Sequence, residues 1–454
     1  VQKTFYNRTD MKLLLNNKGS EYMDQMEIKP RPHSLNGTIH VPGDKSISHR
    51  AIMLGSLAEG RTTVKRFLTG EDCLTTIKVF QSMGVPIEQN DDEVRIDGKG
   101  LHGLSESVTP LNLGNSGTTT RLLLGILAGT PNHYTLFGDP SLSKRPMNRV
   151  VDPLREMGAL IDGREHGNLL PLSIRGQGLK PIHYRLPVNS AQVKSAILLA
   201  GLFANGTTTV MEPVKTRDHT ERMLEAFGVK VKREGDLIHI SGGQTLTGVD
   251  IEVPGDISSA AFFMCAAALK ENSEITLKDV GLNPTRTGIV DVLNNMGVSM
   301  TINTTRHIGD EPVGDITVKG GPMHGTTLSG DLIPRLIDEL PIIALVASRA
   351  EGKTIIKDAE ELRYKETDRI QAVVDTLKQM GAKVEATKDG MIIEGSTNPL
   401  NGGTYSSYHD HRIGMMVAVA SVVCEEKIIL DNPSCISISY PNFFDHLDAL
   451  SKPN

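Results

Sequence analysis

Two helical patterns alternate along the chain. The first is apolar on nearly every face, with polar residues gathered at its start. It occurs six times: SISHRAIMLGSLAEG from Ser46, NSGTTTRLLLGILAG from Asn115, SAQVKSAILLAGLFANG from Ser190, ISSAAFFMCAAALKE from Ile257, IDELPIIALVASRA from Ile337 and HRIGMMVAVASVVCEE from His411. A helix that is apolar all round belongs in an interior. After each comes a short β-type run, a loop and an amphipathic helix, as in TTVKRFLTGEDCLTTIKVFQSMG from Thr62 and KTIIKDAEELRYKETDRIQAVVDTLKQMG from Lys353. Five of these end in Met-Gly or Phe-Gly, at Gly84, Gly158, Gly228, Gly297 and Gly381. Glycine there suits the left-handed position that closes a helix. The chain therefore reads as six copies of one α/β (α+β) unit.

The sixth unit has no strands after its amphipathic segment, and the β-type stretch 26–41 has no helix before it. The two chain ends are thus expected to complete one unit together. Val-Pro-Gly-Asp occurs at 41–44 and again at 253–256. A repeated Pro-Gly turn suits two equivalent crossings between domains, so hinge crossings are expected near 41–44 and 253–256. Residues 43–255 then form one domain of three repeats, and 23–42 with 256–454 form a second. Each would hold three parallel buried helices under small sheets, with a cleft between the domains.

At 454 residues the chain exceeds one ordinary core, and two domains of roughly 200 residues are expected. Small side chains in the buried helices let them pack closely, which fits a chain with no Trp and only 4% aromatic residues. The net charge of −6 disfavours nucleic acid and anionic membranes as partners, while leaving room for a local basic patch. Cys73, Cys265, Cys424 and Cys435 show neither CxxC nor zinc spacing and read as reduced, structural residues of a cytoplasmic protein. The Met11–Leu15 segment mimics a secretory start, but its apolar run stops at Asn16, short of the roughly 7–15 residues such a signal needs. No run reaches the ~18 apolar residues of a membrane span. Residues 1–22 are expected to be a polar extension outside the fold, with the start near Met23 or Met26.

Parallel buried helices carry an electrostatic consequence. Their polar starts should converge, presenting free N–H groups and positive dipole ends to the cleft, a ready site for phosphate. Basic residues gather in these segments: Lys45, Arg50, Arg121, Lys194 and Arg412 at helix starts, and Arg145, Arg217, Lys365 and Arg369 in the following loops. Any one could be a solvated surface charge, but nine at equivalent points of a repeat are hard to explain that way. Among acids, Asp338 and Glu339 stand before Pro341, where helix capping is the plain alternative. Glu366 lies between Lys365 and Arg369. His409 and His411 are too little to define a metal site. Gly43-Asp44-Lys45-Ser46 lacks the upstream glycine of a P-loop, and Gly114-Asn115-Ser116-Gly117 is too short for a dinucleotide site.

VPGDKSISHR (41–50), GNSGTTTR (114–121), KRPM (144–147), SAQVKSA (190–196), YKETDR (364–369) and DHRIGM (410–415) resemble the motifs of the 5-enolpyruvylshikimate-3-phosphate synthase family. GDKS, SAQVK, RDHTE (217–221) and NPTR (283–286) resemble its bacterial class II subgroup. The resemblance runs from about residue 26 to the end. It implies the two-domain enolpyruvyl transferase fold and transfer of the enolpyruvyl group of phosphoenolpyruvate to the 5-hydroxyl of shikimate 3-phosphate. No metal or organic cofactor is implied, and the partners are these two small molecules, with the protein acting as a monomer.

Carried over position by position, phosphoenolpyruvate would meet Lys45, Arg145, Arg369 and Arg412, with Gln192 between the substrates and Asn115 and Gly117 close by. Guanidinium forks suit a ligand bearing both phosphate and carboxylate. Shikimate 3-phosphate would meet Lys45, Ser46, Arg50, Ser190, Ala191, Gln192, Arg217, Asp338 and Lys365. The resemblance makes Asp338 the base for the 5-hydroxyl and Glu366 the acid for the methylene carbon, with Lys45 as assistant. Burial would raise the Glu366 pKa toward neutrality, and Lys365 and Arg369 would lower it. Many relatives carry a lysine near Ile438, so one phosphate contact is expected to be absent or replaced by Ser437 or Ser439. Gly117 leaves room for the inhibitor glyphosate, whereas the subgroup points to tolerance. The related UDP-N-acetylglucosamine enolpyruvyl transferases carry a cysteine shortly before the Arg-Pro step, and GDPSLSKRP (138–146) has none. A catalytically dead anion-binding repeat protein would have no need of Asp338 and Glu366 beside the cations.

Overall fold

A computed structural model describes residues 24–308 and 310–452; the expected extension at 1–22 lies outside the described residues. The six apolar segments form helices Lys45–Leu57, Gly117–Ala128, Ala191–Gly201, Ile257–Leu269, Leu340–Ala347 and His411–Ala420, here the first to sixth buried helices. Five begin where a side-chain oxygen accepts a hydrogen bond from a free amide of the first turn. The capping residues are Asp44, Ser116, Ser190, Asp256 and Asp410. Such a cap stabilises a helix by about 1 kcal/mol. The fifth has no side-chain cap and instead carries Pro341 in its first turn, where a missing N–H breaks no helical bond. Close packing is clearest at Gly125, where an added Cβ would lie 2.2 Å from the Ala196 carbonyl oxygen of the third helix. Any side chain there drives the second and third buried helices apart.

The amphipathic segments form Glu71–Ser82, Asn148–Glu156, His219–Ala226, Gly288–Asn295, Arg369–Gln379 and Phe443–Leu450. The five closing glycines take φ values from 85° to 111°, the left-handed conformation that ends a helix without Cβ strain.

Among the described residues six small sheets accompany the helices, and five have four strands in one arrangement. In the unit built on His133–Phe137, that strand pairs parallel with Leu111–Asn112 and antiparallel with Leu169–Arg175, which pairs antiparallel with Leu160–Gly163. The sixth sheet has three strands, with Ile428–Asp431 parallel to Gly403–Ser406 and antiparallel to Gln25–Ile28.

The β-type stretch 26–41 is split. Gln25–Ile28 completes the sixth sheet, while Asn36–Ile39 joins Glu274–Gly281 of the fourth. One unit therefore is not completed by the whole stretch, because the Pro30–Pro32 segment breaks it between two sheets. The first sheet closes in the same way, with Asp250–Glu252 returning to lie parallel to Thr63–Lys65.

Two hydrophobic cores result. One draws on residues between Ile47 and Val253, the other on Ile28–Val41 together with residues between Ile257 and Leu450. We call these the first and second lobes. Burying one Leu or Ile side chain contributes about 1.5–3 kcal/mol, and the fifth buried helix is buried along its whole length. The four cysteines are free and buried in the lobes.

Candidate active site

All six buried helices direct their starts to one cavity between the lobes, with a volume of about 710 Å³. Lys45 and Ser46 enter from the first helix, Gly117 and Thr118 from the second, and Ala191 and Gln192 from the third. The second lobe supplies Asp256 before the fourth helix, Asp338 before the fifth, and His411 with Arg412 at the sixth. Six positive helix ends thus face one space, each favouring an anion by about 0.3–2 kcal/mol depending on burial.

The cavity brings together nearly all of the residues singled out in the sequence. From the first lobe Arg50, Arg121, Arg145, Ser190 and Arg217 line it, and from the second Lys365, Glu366 and Arg369. Asn115 does not line the cavity; it stands one step behind, accepting a hydrogen bond from Arg145 Nη2 and donating to Asp139 Oδ2 at 2.6 Å. Lys194, expected among the cleft cations, does not line the cavity. Two residues beyond Gln192 it lies on the inner side of its helix, fully buried, with Nζ 2.8 Å from Glu212 and 2.9 Å from Glu221. Ser437, Ile438 and Ser439 also do not line the cavity. The Ile438 carbonyl instead packs against Gly70 of the first lobe.

The acids are held by cations of both lobes. Asp338 accepts from Arg217 Nη2 at 2.6 Å, Lys365 Nζ at 3.1 Å and Arg369 Nη1 at 3.0 Å, so it does not cap a helix. Glu339, beside it, is buried and accepts from the Ser258 hydroxyl. Glu366 accepts from Arg369 Nη2 at 2.7 Å and lies 3.5 Å from Arg145 Nη1 of the other lobe. Burial pushes both carboxyls up, but Lys365, Arg217 and Arg369 around Asp338, and Arg369 and Arg145 around Glu366, outweigh it. Both are held well below the usual carboxylate range. Of the two opposing influences on Glu366 read in the sequence, burial and the neighbouring cations, the cations win.

The cations are themselves fixed. Arg369 Nε and Nη2 reach the two oxygens of Asp410 at 2.8 and 3.2 Å, and that carboxylate also caps the sixth helix. Lys45 pairs with Asp72; burial would lower its pKa, and the carboxylate raises it. Gln192 accepts from Arg121 Nη1 at 2.7 Å and donates to Thr118 Oγ1 at 3.0 Å. Arg50 spends its donors on Thr220, Ser195 and the Ser46 carbonyl, at 2.6 to 3.0 Å. A Cβ on Gly117 would sit 3.2 Å from both Arg145 Nη1 and Arg121 Nη1.

Asp72, Arg149, Arg286, Glu361 and His411 also line the cavity and were not singled out as site residues. Arg286 and His411 had a signal, within NPTR and DHRIGM. Asp72 had none, because its role depends on a fold contact with Lys45. His409 meets the Asn432 side chain while His411 faces the cavity, so the two do not converge on one point.

The model of the family described as EPSP synthase (3-phosphoshikimate 1-carboxyvinyltransferase) matches residues 30–447. A 3-phosphoshikimate 1-carboxyvinyltransferase of Bacillus cereus (strain G9842) is 57% identical over 430 residues, covering 95% of this chain and 100% of that protein. The protein of the same name from Bacillus cytotoxicus is 59% identical over 420 residues, covering 92% and 99%. The solved EPSP synthase of Acinetobacter baumannii superposes with a TM-score of 0.83 at 47% identity, covering 94% of this chain and 98% of that one. The enolpyruvyl transferase NikO of Streptomyces tendae shares the fold, with a TM-score of 0.77 at 17% identity over 93% and 96% of the two chains.

Proposed function

We infer the reaction from one plain premise: the chain belongs to the EPSP synthase family. It transfers the enolpyruvyl group of phosphoenolpyruvate to the 5-hydroxyl of shikimate 3-phosphate, giving 5-enolpyruvylshikimate 3-phosphate and phosphate. This is a step of the shikimate pathway. The observation that carries the assignment of the site is the meeting of six helix starts, with cations from both lobes, around one cavity.

In our reading phosphoenolpyruvate takes Lys45, Arg145, Arg369 and Arg412, with Gln192 between the ligands, Gly117 beside them and Asn115 acting through Arg145. Shikimate 3-phosphate takes Lys45, Ser46, Arg50, Ser190, Ala191, Gln192, Arg217, Asp338 and Lys365. A bound phosphate and carboxylate compete with Glu366 for Arg145 and Arg369. As the ligand anions take these cations, the lowering influence on Glu366 weakens and burial raises its pKa. Glu366 then gives a proton to the methylene carbon while the 5-hydroxyl oxygen attacks the adjacent carbon and Asp338 accepts the hydroxyl proton. The resulting tetrahedral intermediate returns a methyl proton to the Glu366 carboxylate, and phosphate leaves with the proton held by Asp338, restoring the double bond. Closure of the lobes excludes water and strengthens each of these contacts.

The lobes act in this scheme as domains 43–255 and 23–42 with 256–454, hinged at 41–44 and 253–256. The enzyme works as a cytoplasmic monomer. The buried free cysteines fit a reducing compartment, and no helix among the described residues is long and apolar enough to cross a membrane. The test is phosphate release by the purified chain. It must require both phosphoenolpyruvate and shikimate 3-phosphate; release with either alone, or none with both, overturns the reading.

A further inference from the structure

The duplicated Val-Pro-Gly-Asp motifs pair with each other. The Asp44 amide donates to the Pro254 carbonyl at 2.8 Å and the Asp256 amide to the Pro42 carbonyl at 2.9 Å, a reciprocal bridge centred on Gly43 and Gly255. Each aspartate caps its own buried helix, Asp44 accepting from Ile47 N at 2.9 Å and Asp256 from Ser258 N at 2.8 Å. The second oxygen of Asp256 also accepts from Lys45 N at 3.2 Å. One carboxylate thereby ties the start of the first buried helix to the start of the fourth, across the lobes.

Arg286, in the turn before helix Gly288–Asn295, breaks the symmetry of this bridge. Its Nη1 donates to Asp44 Oδ2 and its Nη2 to Asp256 Oδ1, both at 3.2 Å, and Nη2 reaches Ser258 Oγ at 2.7 Å. Its Nη1 also meets His219 Nε2 of the first lobe at 3.2 Å, and His219 Nδ1 lies 2.7 Å from Glu311 of the second. Arg286, Asp44 and Asp256 are 2–3% exposed. Two buried carboxylates 212 positions apart in sequence (256 − 44) thus share one guanidinium at the place where both chain crossings meet. A planar fork spans two such partners at once, whereas an ammonium acts as a single point charge.

We propose that Arg286 is a positioning residue for enolpyruvyl transfer: by clasping Asp44 and Asp256 it sets the start of the first buried helix, and with it Lys45, against the second lobe. This rests on the proposed reaction, in which Lys45 must meet Arg369, Arg412 and Glu366 around phosphoenolpyruvate. Of the first-lobe groups that hold shikimate 3-phosphate, only Lys45 and Ser46 stand at that helix start; Arg50 is tied to Thr220 and Ser195 within the lobe, and Ser190, Ala191, Gln192 and Arg217 belong to other segments. Loosening it therefore harms the ternary complex more than the binary one.

The experiment first confirms that the unmodified chain releases phosphate only with both substrates; failure there sinks the proposed reaction and not the clasp. Arg286→Lys is then compared with Asp44→Asn/Arg286→Gln, which removes the shared charge pair while leaving an amide oxygen to cap Ile47. In both, kcat is expected to fall about tenfold to a hundredfold, the scale of a misplaced reacting group. The Kd of shikimate 3-phosphate alone, measured by calorimetry, is expected to stay within about threefold, since most of its first-lobe contacts lie away from that helix start. A kcat within twofold of the unmodified chain in either folded variant overturns the proposal. So does a loss confined to the Kd of shikimate 3-phosphate, which would make Arg286 a direct ligand contact.

Discussion

Glu366 shows what a single residue's surroundings decide. Its carboxyl is held well below the usual range because Arg369 and Arg145 outweigh burial, so at neutral pH it carries no proton to donate. If ligands draw those cations away, the enzyme must take up a proton on binding. Calorimetry of phosphoenolpyruvate binding to the shikimate 3-phosphate complex, in buffers of different ionisation enthalpy, should show net uptake near neutral pH in single-turnover or pre-turnover heats. Glu366→Gln should remove the uptake and collapse turnover while both substrates still bind; an unchanged kcat removes Glu366 from the mechanism. The same lowering has a stability consequence. A depressed carboxyl contributes stability that is full above the unfolded value of about 4 and is lost as pH falls through the folded value. Acid unfolding of Glu366→Gln should therefore be less steep with pH below about 4. Gly117 adds a steric case. Gly117→Ala places a Cβ 3.2 Å from Arg145 Nη1, and the KM for phosphoenolpyruvate is expected to rise by about 10-fold, as for a displaced charge-assisted contact of 1–2 kcal/mol. The identities of these residues were legible in GNSGTTTR and YKETDR. The charge state of Glu366 was not, because one of its controlling cations comes from the other lobe.

At the scale of the element, Lys194 marks where sequence reasoning stops. It shares the helix start SAQVK with Gln192, and composition alone gives it the same standing as Lys45. A rotation of about 100° per residue places it some 200° from Gln192, on the interior face. There it joins Glu212 and Glu221 beneath the loop that carries Arg217. Lys194→Met leaves two buried carboxylates without their partner and should destabilise the protein by about 3–5 kcal/mol, read as a fall in Tm. The sign with pH is opposite to that of Glu366. The carboxylates raise the lysine pKa against burial, so the contribution is complete at neutral pH and is lost only as pH rises through the raised value. The buried helices themselves were legible to within a few residues, since apolar periodicity and a preceding Ser or Asp are local signals. The sheets that Asn36–Ile39 and Asp250–Glu252 join were not, because strands of three or four residues find their partners far away in sequence.

The molecule as a whole was legible as six repeats around a basic cleft, because repetition survives in the pattern even where contacts cannot be read. What holds the lobes around that cleft was not legible, since it consists of pairs between distant segments. At the cavity rim, Arg149 Nη1 of the first lobe donates to both oxygens of Glu361 of the second at 2.7 Å, and its guanidinium lies 5.0 Å from the centre of the Tyr364 ring. Both charged side chains keep contact with water, at 23% and 36% exposure, so the pair is worth no more than about 1 kcal/mol. That energy is available only when the lobes are together, so under the proposed closure it favours the joined lobes rather than the stability of either. Arg149→Ala should raise the KM for phosphoenolpyruvate by about two- to fivefold, with kcat at saturation and Tm nearly unchanged. Glu361→Ala should do the same, and the double variant should be no worse than either alone, because each single change already removes the shared contact. The effect should shrink as salt screens the pair. Strictly additive effects in the cycle, or an effect indifferent to salt, would show that the two residues act separately and that closure is governed deeper in the cleft, where Arg217 and Asp338 also join the lobes at 2.6 Å.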